Sequence, residues 1–207
     1  MSGEAWVGGV IEPTVSVANG LLDVARRLAA DLGPRVADLS WTPPDRYVAP
    51  LAVGPAAAGP VDEAPVEALR LAAREIEEFA VQMAAPTLVQ EGPDFARVVT
   101  LLASKGDEIA AAVRVVADRM RESGLDVLPV DPVAFTLATV TGEAKVQAVA
   151  AAFPAPREAP LAGWLVGGLC LHAGPAPETG RAWLPTRVRY VPLRRLNARR
   201  PDTRSPL

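Results

Sequence analysis

Apolar positions along this chain switch between a period of about 2 residues and one of about 3.6, which predicts strands alternating with helices. The run Ala5-Trp6-Val7-Gly8-Gly9-Val10-Ile11, stopped by Glu12-Pro13, reads as a strand buried on both faces. Val17, Leu21, Val24, Ala25, Leu28 and Leu32 then recur at three- and four-residue steps, which predicts an amphipathic helix closed by Gly33-Pro34. Val36–Trp41 and Tyr47–Val53 read as strands on either side of Thr42-Pro43-Pro44-Asp45, a turn whose prolines exclude a helix. Residues 55–65, rich in Pro, Ala and Gly, read as a loop. Helical spacing returns over Glu67–Met83, with Val66, Leu69, Ile76 and Phe79 facing inward.

Pro86–Gln90 and Phe95–Ala103 read as strands around the turn Glu91-Gly92-Pro93-Asp94. Asp107–Glu122 carries the clearest helical stripe, Ile109, Val113, Val116 and Met120, with acids at its start and Ser123-Gly124 as its stop. A strand over 133–140 and a short helix over Glu143–Phe153 follow, then a Pro-rich link. Leu161–His172 and Trp183–Leu193 read as two strands that could pair as a hairpin with a long loop. The order predicts an α+β or α/β domain spanning 1–196, with a polar, Arg-rich tail over 197–207 expected to be mobile. Gly8-Gly9 and Gly167-Gly168 are too short to form a phosphate-cradling loop.

Half of the 207 residues are apolar, enough to bury one core. No apolar run reaches the roughly 18 to 20 residues of a membrane span, and the first 30 residues lack the pattern of a signal peptide, so a cytoplasmic location is expected. Cys170 is the single cysteine, which excludes an internal disulfide and any zinc site built from several thiolates. The basic residues are 19 Arg and 2 Lys, a bias that with the many Ala and Pro fits a GC-rich, bacterial-like coding sequence. The net charge of −3 hides an asymmetry. Residues 181–207 hold eight Arg against one acid, a balance of +7, leaving −10 for the rest.

The arrangement is similar to the two-histidine phosphoesterase superfamily, which includes the 2′-5′ RNA ligase-like cyclic phosphodiesterases. The resemblance runs from about Ala5 to Leu193 and rests on flanking residues. Trp41-Thr42-Pro43-Pro44-Asp45-Arg46-Tyr47 resembles the family's lead into a first His-x-Thr/Ser-x motif, and the helix 107–124 followed by Val130-Asp131-Pro132-Val133 resembles the lead into the second. The resemblance implies an α+β, bilobal fold, two small antiparallel sheets around a central cleft with flanking helices. Laid onto the motifs, the chain reads Val48-Ala49-Pro50-Leu51 and Ala134-Phe135-Thr136-Leu137.

Strand residues two apart share a face, so His-x-Thr aims an imidazole and a hydroxyl into one cleft. Two such strands place a general base and a general acid around one phosphate. Val48 and Ala134 move no proton at any pH, and Pro50 has neither a hydroxyl nor a backbone N–H to pair regularly. Thr136 is left as a potential oxygen ligand, though packing or a cross-strand hydrogen bond explains a lone strand Thr as well.

His172 is the single histidine, so a two-imidazole mechanism within the chain is excluded. Alternation puts Cys170 and His172 on one face but roughly 6 to 7 Å apart, too far for good proton transfer. The helical acids fit a solvated face, and no spacing resembles a metal-binding motif. Arg187 and Arg189, if they alternate on the last strand, share a face that could meet a phosphate or an acidic partner.

The sequence therefore points to a pseudoenzyme with no catalytic residues, no metal and no cofactor, acting as a binding or protein-interaction module. Its degenerate cleft positions are Val48, Pro50, Ala134 and Thr136, and its candidate contacts Tyr47, His172, Arg187 and Arg189. Another protein is the expected partner, with a small ligand in the cleft open, nucleic acid ranked low and no membrane. Two alternatives stand beside it. One is an RNA or cyclic-nucleotide phosphoesterase with relocated groups, and the other a structural protein docking on an acidic partner through its C-terminus.

Overall fold

The computed structural model describes residues 5–56, 63–155, 162–176 and 183–195. β1 (Ala5–Ile11) leads into α1 (Val15–Leu32), whose Thr14 cap accepts from the Val17 N–H at 3.4 Å. The buried stripe of α1 is the one the spacing predicts. Pro34 and Gly33, whose φ is 54°, turn the chain into a 3₁₀ segment over Gly33–Asp38, so only Leu39–Trp41 pairs as β2. β3 (Ala49–Pro55) and α2 (Glu63–Glu75) come next.

The helix expected over Glu67–Met83 ends at Glu75, and Phe79–Met83 forms β4. Phe79, Val81 and Met83 are buried while Ala80 and Gln82 are exposed, a period of two that the preceding helical stripe had hidden. β5 (Thr87–Gln90), β6 (Phe95–Ser104) and α3 (Glu108–Glu122) follow, then the short β7 (Leu128–Pro129), which the sequence did not reveal. The chain passes a cis Asp131–Pro132 bond into β8 (Ala134–Thr141) and α4 (Glu143–Ala152). The strand expected over Leu161–His172 is broken at Gly167 into β9 (Ala162–Val166) and β10 (Gly168–Pro175), which join different sheets. β11 (Thr186–Pro192) pairs antiparallel with β10, as a hairpin requires.

One sheet has the order β11-β10-β1-β3-β7, and the other β2-β8-β6-β4-β9 with β5 also on β6. All these pairs are antiparallel. α2 and α3 cover one face of the first sheet so closely that a Cβ at Gly9 would stand 2.6 Å from Val116 and 3.3 Å from Leu69. α4 touches β6 and β8, and α1 touches β9. The sheets and helices share one apolar core, in which Ala49, Leu51, Phe135 and Leu137 are fully buried. No helix among the described residues is long and apolar enough to cross a membrane.

Both motif strands carry the same irregularity. β1 pairs Gly9 with Ala52 and Val10 with Pro50, so Leu51 is an extra residue. β6 pairs Val98 with Ala138 and Val99 with Thr136, so Leu137 is extra. A bulge in each strand therefore falls on the fourth residue of its motif, and at Pro50 it lets the ladder accommodate a residue without an N–H donor.

Candidate functional site

The bulged strands sort their side chains in the same way. Ala49 and Leu51 point into the core while Val48 and Pro50 stand off it, and Phe135 and Leu137 point in while Ala134 and Thr136 stay half-buried. The chain also ties the two strands together. β3 and β8 are in contact, and the Val130 N–H, on the segment leading into β8, donates to the Leu51 carbonyl at 2.8 Å.

The first of these positions is packed with hydrocarbon. Val48, Val10 and Cys170 form a small buried cluster with Trp183 lying on it. Gly8 makes room for the indole, since a Cβ there would come within 2.9 Å of the Trp183 ring. The Trp183 Nε1 is buried without a hydrogen-bond partner, so packing alone holds the ring.

Beside this cluster lies a hollow of about 440 Å³ whose wall includes Glu12, Arg46, Tyr47, Val48, His172 and Arg187. His172 Nε2 lies 2.5 Å from Glu12 Oε1, and Arg187 Nε donates to the same oxygen at 2.6 Å. The Arg187 guanidinium also pairs with Oε2. The carboxylate and the imidazole are 16 % and 6 % exposed, while the Arg187 side chain is 57 % exposed. Burial drives the His172 pKa down to about 4, opposed by the Pro185 carbonyl and aided by the charge of Arg46. The imidazole is therefore neutral near pH 7, and Nε2–H donates to Glu12. Nδ1 is buried without a partner, and the Pro185 carbonyl accepts from Arg46 Nη1 at 3.0 Å. Burial also raises the Tyr47 pKa and pushes the Cys170 thiol up to about 12, so both stay protonated.

Of the residues singled out from the sequence, Tyr47, Val48, His172 and Arg187 line this one hollow, whereas Pro50, Ala134 and Thr136 do not. Arg187 and Arg189 do not share a face. β10 pairs His172 with Arg187 and Leu171 with Arg189, so Val188 is a bulge that turns the two arginines apart. Arg189 faces α2, in a shallow hollow with Arg70 and Arg74. Cys170 and His172 come closer than their strand spacing suggests, because that spacing is set at Cβ while their side chains converge toward Glu12.

Glu12, Arg46 and Trp183 were missed as site residues. Glu12-Pro13 reads as a strand stop, yet it continues the alternation of Gly8 and Val10 by one step, and that parity was a usable signal. Arg181, Arg199, Arg200, Arg204 and the tail lie outside the described residues.

No family model and no curated protein matches the chain. Solved structures do. E. coli LigT in its apo form is 16 % identical, with a TM-score of 0.56 over 93 % of this chain and 99 % of that one. TT0787 of Thermus thermophilus is 18 % identical, with a TM-score of 0.58 over 91 % and 98 %. LigT complexed with ATP is 14 % identical, with a TM-score of 0.60 over 92 % and 99 %. The chain has the fold of these neighbours, α+β with four helices and two antiparallel sheets among the described residues, the fold that the resemblance to the two-histidine phosphoesterases implied.

Proposed function

We propose that this protein keeps the phosphoesterase-like scaffold, lacks its acid-base chemistry and works as a binding module for another protein. The observation that carries this reading is the state of the first motif strand. Val48, at the position where the resemblance expects a proton-transfer group, lies in a hydrocarbon cluster under Trp183, and Ala134 stands at the corresponding position of the second strand. The surface best suited to a partner is the hollow beside Val48. Its wall combines apolar Pro13, Pro44 and Pro185 with Arg46 and Arg187, and the guanidinium of Arg187 is already matched to Glu12. Such a wall suits a peptide better than a free phosphate, which needs unmatched positive charge.

Turnover assays with 2′,3′-cyclic nucleotides and 2′-5′-linked oligonucleotides test the reading. The expected result is no rate above buffer. Phosphate and 3′-AMP, with which LigT has been solved, are expected to show no saturable binding by calorimetry. Turnover that disappears in His172→Ala would overturn the proposal and favour relocated chemistry around His172, Arg46 and Arg187.

A further inference from the structure

We propose that Glu12, Cys170 and His172 form a binding site for one divalent transition-metal ion of the zinc class, at the edge of the same hollow but not resting on the binding role above. A carboxylate oxygen, a thiol sulfur and an imidazole nitrogen lie within 4.8 Å of one another, and this is the one such group among the described residues. Zinc bonds of about 2.0 to 2.3 Å set tetrahedral donors roughly 3.3 to 3.8 Å apart, so the His172–Glu12 pair, 2.5 Å apart, must open and the sulfur must draw in, each by about 1 Å.

The backbone brings the donors together from adjacent strands. Cys170 and His172 alternate on β10, and β1 sets Val10 opposite Cys170 and Gly8 opposite His172, so Glu12 leaves the end of β1 on the same face. Two hollows meet at Glu12, one reaching His172 and the other Cys170, which gives an ion a way in and leaves a fourth position for water.

The charge count fits a divalent ion. Without an ion, Arg187 pairs with Glu12. An ion of charge +2 that displaces the thiol proton meets one carboxylate and one thiolate, so the buried group is neutral again and the exposed Arg187 turns to water. The Nε2 proton, now shared with Glu12, moves to Nδ1, which is buried without a partner near the hollow that Pro185 also lines. A backbone carbonyl is a usual partner for the outer N–H of a metal-bound histidine. One proton leaves per ion bound, from Cys170. Magnesium and calcium are poor candidates because they take oxygen ligands, while sulfur and imidazole favour zinc and its neighbours.

Co²⁺ is the probe. Thiolate ligation gives a near-ultraviolet charge-transfer band, and with one cysteine and one histidine in the chain the signal has a single source. The untagged, reduced, chelator-treated full chain is expected to show a saturable 1:1 band, bleached by one equivalent of Zn²⁺. Cys170→Ser should lose the band, and Glu12→Gln and His172→Ala should weaken binding by about tenfold or more. Arg187→Ala should tighten it several-fold by freeing the carboxylate, which a merely structural Glu12 would not do. Circular dichroism establishes that each variant is folded; where one is not, the wild-type band and Arg187→Ala decide. Absence of the band, unchanged affinity in folded Glu12→Gln and His172→Ala, or weaker binding by Arg187→Ala would each overturn the site.

Discussion

The two motif strands share one backbone irregularity and differ in what surrounds their side chains. β3 and β8 each place a bulged leucine, Leu51 or Leu137, in the shared core after the third motif residue. Around the first strand the off-core face is sealed by Trp183 and bordered by a charged rim. Around the second, Ala134 and Thr136 remain half-buried. The two strands thus share a backbone device while their off-core faces carry different surroundings. Fold and chemistry are separable here because the bulge is held by the core residues, and the core does not depend on what stands on the other face.

The largest expected effects test whether the bulges are equivalent. Leu51→Ala and Leu137→Ala should each cost about 2 to 5 kcal/mol in chemical denaturation. A cost at only one of them would break the correspondence.

Next in size is a pH effect confined to the first strand's neighbourhood. Because burial disfavours the His172 imidazolium, in spite of the Glu12 carboxylate and with Arg46 and Arg187 nearby, the unfolded chain takes up that proton first. In the metal-free protein the contribution is flat above about pH 6.5 and is lost as pH falls toward about 4, amounting to up to about 3 kcal/mol. His172→Gln should remove that slope, and the single imidazole should titrate near pH 4 by NMR. A midpoint above 6.5 would show that Glu12 outweighs burial.

Trp183→Ala should cost about 2 kcal/mol, since the ring is partly rather than fully buried and leaves a void over Val10, Val48 and Cys170. Retained stability would mean that the indole merely rests on the cluster. Thr136→Val closes the series, with a change within about 0.5 kcal/mol expected by thermal or chemical melting, because the half-buried hydroxyl makes no hydrogen bond among the described residues. A larger loss would reveal a contact specific to the second strand.

Much of the fold was legible because periodicity reports burial, and α1 and α3 bury the stripes their spacing predicts. Where two periods meet, as at Ile76–Phe79, a helix stripe runs into a strand face and the boundary disappears. The strand break at Gly167 and the bulge at Val188 are equally silent, because both depend on which strand lies alongside. The motif strands could be found from their flanks. The pairing of Glu12 with His172 could not, since 160 positions separate them and only strand register brings them together.

The seat that Gly8 provides for Trp183 has a consequence for substitution. An imidazole placed at position 48 would find its working volume already taken by the indole, and a side chain larger than hydrogen at position 8 would unseat the indole without supplying an acid or a base. Placing a proton-transfer group on this strand therefore needs a vacancy and a histidine together, and neither change is useful alone. The packing couples these positions, so that a histidine by itself gains nothing there.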